Sequence, residues 1–132
     1  MAKDQITICV PATTANLGPG YDCLGMALDL WNEIKVEIST TTKFSIVGEG
    51  SGVLSKGKDN LVYRSMQKFF REINEKPIAV NVGCNNNIPL ARGLGSSAAA
   101  IVGGLMAANK ICSNPLSQDD LLSLAFQIEG HG

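Results

Sequence analysis

From Ser97 to Ile111 the sequence reads SAAAIVGGLMAANKI, apolar on nearly every side of a helix. A helix of that kind has no face to offer water and must be enclosed by other elements. The rest of the chain therefore has to supply layers around it, and with no internal repeat and no linker the sequence reads as one α+β or α/β unit. Gly103 and Gly104 tighten the constraint. Each costs a helix ~1 kcal/mol relative to alanine, a penalty that predicts close backbone approach against a sheet. The polar turn Gly93-Leu-Gly-Ser-Ser97 stands directly ahead of this helix.

The remaining segments supply those layers. Gln5 to Val10 alternates Ile6, Ile8 and Val10 on one side, a strand pattern, and Pro11 to Gly25 reads as a loop. Ile34, Val36 and Ile38 alternate with Lys35, Glu37 and Ser39, a half-buried strand, with Phe44 and Ile46 expected as its hairpin partner after Thr40 to Thr42. Asp59 or Asn60 can cap a helix reaching about Ile73, on the 3.6-residue spacing of Leu61, Val62, Met66, Phe69, Phe70 and Ile73. Pro77 opens a strand through Ile78, Val80 and Val82, and Asn85 to Arg92 is expected as loop. Ser113-Asn114-Pro115 breaks the chain, and Ser117 with Asp120 forms a capping pair for a last helix through Ile128.

Composition excludes several classes. The 132 residues are 45% hydrophobic and 17% charged, as expected of a folded domain rather than a disordered chain. A net charge of -1 gives no electrostatic case for nucleic acid or anionic membrane. No apolar run is long enough to span a bilayer, and Met1 to Asp4 lacks a signal-peptide pattern. Cys9, Cys23, Cys84 and Cys112 have no paired spacing, so zinc and disulfide frameworks are not expected and a reduced, cytoplasmic setting is.

Three glycine motifs compete for function. Gly93 to Ala98 satisfies G-x-G-x-x-A, but a proline-containing loop precedes it and the later acids, Asp119 and Asp120, fall in a helix, so a dinucleotide fold is rejected. Gly52 to Asp59 is a Walker A loop except for its last position, where Asp59 replaces the hydroxyl that would hold Mg²⁺ and is better spent as a helix cap. The turn at Gly93 to Ser97 is the third. Its glycines permit close approach, and the unpaired N–H groups of a helix start attract phosphate. On the turn alone, a phosphate cradle and a plain serine N-cap are equal readings.

Two segments together carry a resemblance. Pro11-Ala-Thr-Thr-Ala-Asn16-Leu-Gly-Pro-Gly-Tyr-Asp22 resembles the substrate loop of homoserine kinases, and Pro89 to Ala99 resembles the P-x-x-x-G-L-G-S-S-A phosphate loop of the GHMP kinases. The similarity extends to Ala27-Leu-Asp-Leu30 and to Glu129-Gly-His131. The resemblance implies a mixed sheet with helices packed on it, like the second domain of ribosomal protein S5. It implies transfer of the γ-phosphoryl of ATP to the hydroxyl of L-homoserine, in threonine biosynthesis, with Mg²⁺.

Residue by residue, the resemblance makes Pro89, Leu90, Ala91, Arg92, Gly93, Leu94, Gly95, Ser96, Ser97, Ala98 and Ala99 the ATP phosphate site, with Asn60 and Val62 against adenine. Asn16, Asp22 and His131 match substrate-binding positions, and Ser97 and Glu129 match Mg²⁺ ligands. Taken singly, each has an ordinary role: Asn16 and Asp22 in turns, Ser97 bonded in a first helical turn, Glu129 and His131 in solvent. No general base stands out. These kinases have two domains, and residues 1–132 correspond to an incomplete N-terminal one without its C-terminal partner. An inactive fragment, or a GHMP kinase for another small alcohol, therefore stands as the alternative, and a homodimer is left open.

Overall fold

The computed structural model describes residues 5–13, 27–48, 60–87 and 96–129. Four strands and three helices follow in the order β1 (Gln5–Thr13), β2 (Ala27–Ile38), β3 (Lys43–Gly48), α1 (Leu61–Glu72), β4 (Val80–Asn86), α2 (Ser96–Ile111) and α3 (Gln118–Glu129). The fold is α+β, as the sequence predicts. The strands form one mixed sheet in the order β1-β2-β4-β3. β1 and β4 run antiparallel to β2, and β3 runs parallel to β4.

One face of the sheet is apolar because the alternation is strict. Ile6 and Ile8, Ile34 and Val36, Ile46, and Val80, Val82 and Cys84 are buried, while Thr7, Glu33, Lys35 and Glu37 point the other way and are exposed. α2 lies on that face against β1 and β2, and also touches α1 and α3. It is the enclosed element that its sequence requires: Ile101, Leu105, Ala107, Ala108 and Ile111 are all buried.

The two glycines of α2 face different neighbours. A Cβ on Gly103 would overlap the Cδ1 of Ile34 on the sheet. One on Gly104 would stand 2.5 Å from the carbonyl oxygen of Val62 and 3.1 Å from Ser65 Cβ. The expectation of sheet contact therefore holds for Gly103, whereas Gly104 admits α1. Ser65, fully buried, turns its hydroxyl back to the Leu61 carbonyl at 2.8 Å.

Four local expectations are corrected. β3 is not the hairpin partner of β2, because β4 sits between them. β4 has the apolar inward face that suits a central strand, while β3, with Val47 exposed, suits an edge. The strands flanking the first loop are longer than the alternation shows, reaching Thr13 and starting at Ala27. Pro11 is tolerated because β1 is an edge strand whose register shifts at Pro11/Ala12. Asn85 and Asn86 belong to β4 rather than to the following loop. The cap of α1 is Asn60, not Asp59; its Oδ1 accepts from the Val62 and Tyr63 amides at 2.9 and 3.4 Å.

The α2–α3 connection follows its sequence closely. Ser113 and Asn114 adopt φ of 67° and 58°, the left-handed conformation that ends a helix. Asn109 clamps the turn, donating to the Leu116 carbonyl and accepting from its amide, both at 3.0 Å. Ser117 and Asp120 exchange reciprocal 3.1 Å bonds, the capping box read from the sequence.

Candidate functional site

The sheet register gathers the candidate segments. Thr13, the end of β1, pairs with Ala27, the start of β2. Asn86, the end of β4, pairs with Asn32 of β2 and with Gly48, the end of β3. Segments 14–26, 49–59 and 88–95 are therefore all attached to the same end of the sheet. The second leads into α1 and the third into α2. The side chains expected to touch substrate and phosphate fall mainly in these segments. Asn16, Asp22, Pro89, Leu90, Ala91, Arg92, Gly93, Leu94 and Gly95, with His131, lie outside the described residues.

That end of the sheet is polar where the rest of its inner face is not. Asn32 occupies an inward position of β2, and Asn86 an inward position of β4; both are buried. The Asn32 Oδ1 accepts from the Asn87 amide at 2.8 Å, and the Asn87 side chain donates to the Trp31 carbonyl at 3.0 Å. These bonds tie the start of segment 88–95 to β2. Gly48, at φ 86°, lies so close to the Asn86 carbonyl that a Cβ would overlap it. Sequence reasoning missed this asparagine group. Its signal was present: Asn32 breaks the inward Ile34, Val36 series, and Asn86 falls two residues after Cys84 on the inward alternation of Val80 and Val82.

The helices bring the other candidates to defined places. Ser96, Ser97, Ala98 and Ala99 form the first turn of α2, and Ala99 is buried in the core. α3 packs against α2, and Val102, Leu105, Met106, Leu121, Leu122 and Ala125 help line a cavity of about 310 Å³. Asn60 and Val62 occupy the N-terminus of α1. Asn60 is buried with its Oδ1 committed to the cap, and the Val62 side chain is in the core, 4% exposed. What Val62 can offer a ligand is thus backbone rather than side chain.

The sequence that builds α1, β4, α2 and α3 matches a known family. Residues 60–132 match the GHMP kinases N terminal domain. The chain belongs to the GHMP kinases. It is 48% identical over 122 residues to a homoserine kinase of Moorella thermoacetica, covering 92% of this chain and 41% of the relative. The crystal structure of homoserine kinase from Cytophaga hutchinsonii superposes with a TM-score of 0.80 at 29% identity, covering 96% of this chain and 41% of that one. The Methanococcus jannaschii mevalonate kinase shares the fold, with a TM-score of 0.72 at 17% identity over 95% of this chain and 46% of that one. The chain thus spans less than half the length of these relatives.

Among the described residues of this GHMP kinase chain, no three His, Cys, Asp or Glu side chains converge as a metal cluster. No described helix is long and apolar enough to cross a membrane. Cys9, Cys84 and Cys112 are free thiols. Burial pushes the Cys84 thiol up to about 11, and burial with the nearby Glu75 charge raises that of Cys112. Neither is poised as a nucleophile, since thiolate is the reactive form.

Proposed function

We propose that the chain carries the nucleotide-binding and part of the substrate-binding machinery of a homoserine kinase, which moves the γ-phosphoryl of ATP to the hydroxyl of L-homoserine. The observation that carries this reading is the attachment of segments 14–26 and 88–95 to one end of the sheet. The strand ends that flank the two segments, Thr13 and Ala27 for the first and Asn86 for the second, lie at that end. Transfer of a phosphoryl group needs in-line placement and neutralised charge more than covalent help from the protein.

The roles follow. Loop amides from Gly93 to Ser97, at the N-terminus of α2, receive the phosphates of ATP. The backbone at Asn60 to Val62 borders adenine. Asp22 meets the substrate ammonium, Asn16 orients the substrate, and His131 lies near it. Ser97 and Glu129, hard oxygen donors by residue type, would hold Mg²⁺. Bound there, it would offset the negative charge on the phosphates. Placement in threonine biosynthesis, and in the cytoplasm, follows from the same reading.

Nucleotide binding is expected of residues 1–132. MgATP at a hundredfold excess over its dissociation constant should stabilise the chain by ~2.7 kcal/mol in thermal unfolding. L-homoserine should add to that, and mevalonate should not. Absence of any MgATP effect would sink the nucleotide site, and stabilisation by mevalonate in place of homoserine would sink the substrate. In a kinase with the relatives' full length, Ser97→Ala and Glu129→Ala should each weaken Mg²⁺-dependent activity; retention by both would remove the metal assignment.

A further inference from the structure

The outer flank of α1 carries a cluster that the kinase reading does not use. Arg64, Lys68 and Arg71 follow one another at helical spacing, with Gln67 among them. Together with Gln127 and Ile128, near the end of α3, they line a cavity of about 350 Å³. No carboxylate among the described side chains lines it, although Glu72 stands next to Arg71 in sequence. The three cations form no ion pair with another described residue.

The cluster does little for the helix that bears it. Like charges three and four residues apart repel. Arg71, in the last turn, suits the negative end of the α1 dipole, but Arg64 lies in the first turn, where a cation is unfavourable. The chain has 12 acidic residues to 11 basic ones, so opposite charges were available for interspersion on this face. Three cations without an ion pair among the described residues, around a hollow with the Gln67 carboxamide beside them, make a donor-rich receptor. Arg64 and Arg71 are separated by ~10.5 Å along the helix axis, so they address two anionic groups rather than one. Guanidinium forks bind both phosphate and carboxylate through paired hydrogen bonds.

We propose that this cavity between α1 and the end of α3 is a binding site for a small polyanion bearing two or more phosphate or carboxylate groups. The volume suits a small molecule, being at the lower end of ligand pockets. The site is built from residues other than those assigned to nucleotide and homoserine, and does not depend on that assignment.

The test is a residue-resolved NMR titration of the 132-residue chain at fixed ionic strength. Tripolyphosphate, citrate, orthophosphate and acetate are the probes. Saturable shifts of the Arg64 to Arg71 and Gln127 to Ile128 amides are expected from tripolyphosphate or citrate, at least about tenfold tighter than from orthophosphate or acetate. The phosphate arm and the carboxylate arm separate the two ligand chemistries. Tripolyphosphate can also reach the proposed nucleotide loop, so the double variant Lys68→Gln/Arg71→Gln identifies the site: it should lose the α1 and α3 shifts and keep those near Ser96. Shifts equal for all four anions, or shifts unchanged in the variant, would overturn the proposal. So would a variant that loses thermal stability without added anion while the parent shows no saturable binding, because the cations would then serve only the end of α3.

Discussion

Gly103 offers the sharpest test of why α2 sits where it does. Its would-be Cβ collides with Ile34 Cδ1 and comes within 3.5 Å of Val10 Cγ2. Ile34 is only 1% exposed, so its terminal methyl has little room to swing away. Gly103→Ala should gain ~1 kcal/mol of helix propensity. Overpacking should cost ~1–3 kcal/mol, leaving a net loss of ~0–2 kcal/mol. Ile34→Val alone deletes the obstructing methyl and should cost ~0.5–1.5 kcal/mol through the void it leaves. Combined, the new alanine methyl enters the space that Cδ1 vacated. Clash and cavity then cancel while the propensity gain persists, so the double variant should match or exceed the parent. The favourable coupling is ~1.5–4.5 kcal/mol, the clash and the cavity both being relieved, far above the ~0.5 kcal/mol expected of independent sites. Urea unfolding of the parent, both single variants and the double, with unchanged m-values, measures it. If the two single losses simply add, Ile34 is not the reason for glycine at 103.

Gly104→Ala should be worse than Gly103→Ala, with a net loss of ~1–3 kcal/mol, because its obstacle is the backbone carbonyl of Val62, which cannot rotate aside as a side-chain tip can; equal unfolding midpoints for the two variants would contradict this. Asn109→Ala should cost ~2 kcal/mol, since the amide and carbonyl of Leu116 both lose their partner, and hydrogen exchange at Leu116 should quicken selectively. Alkylation at pH 8 should modify exposed Cys9 ahead of Cys112, leaving buried Cys84 protected until the chain unfolds; early labelling of Cys84 would contradict its burial. The same burial makes stability depend on alkaline pH. The folded state holds the Cys84 proton up to about 11 against an ordinary 9.0, so its contribution is complete below pH 9 and is lost as pH rises towards 11.

What the sequence made legible was whatever a single element decides. The enclosure of α2 followed from its lack of a polar face, the α3 start from Ser117 and Asp120, and the breadth of α1 from its apolar spacing. What it hid was decided between elements. The Asn32–Asn87 bond joins residues 55 apart in the chain, and neither side chain states its partner. The cap at Asn60 prevailed over Asp59 by one residue, a choice made by how the helix is docked through Val62 and Gly104. For the candidate site, the loop motifs were visible as strings, yet nothing in either string says that the two loops leave from the same end of one sheet.

The misplaced hairpin shows why that matters for function. In a sheet ordered β1-β2-β3-β4, β4 would be an edge strand, two strand spacings from β2, or ~10 Å. Segment 88–95 would then leave from the margin of the sheet, remote from segment 14–26. With β4 inserted next to β2, the lateral distance between these two strands is a single spacing, ~5 Å. The Asn87 amide reaches the Asn32 side chain, and the chain passes from there into a helix laid across β1 and β2. The parallel β3–β4 pair is the structural cost of this order, since it requires α1 as a crossover between two neighbouring strands. That crossover is what carries Asn60 and Val62 to the flank of α2. A single exchange of strand order thus decides whether Asn86 ends beside β2 or at the margin of the sheet.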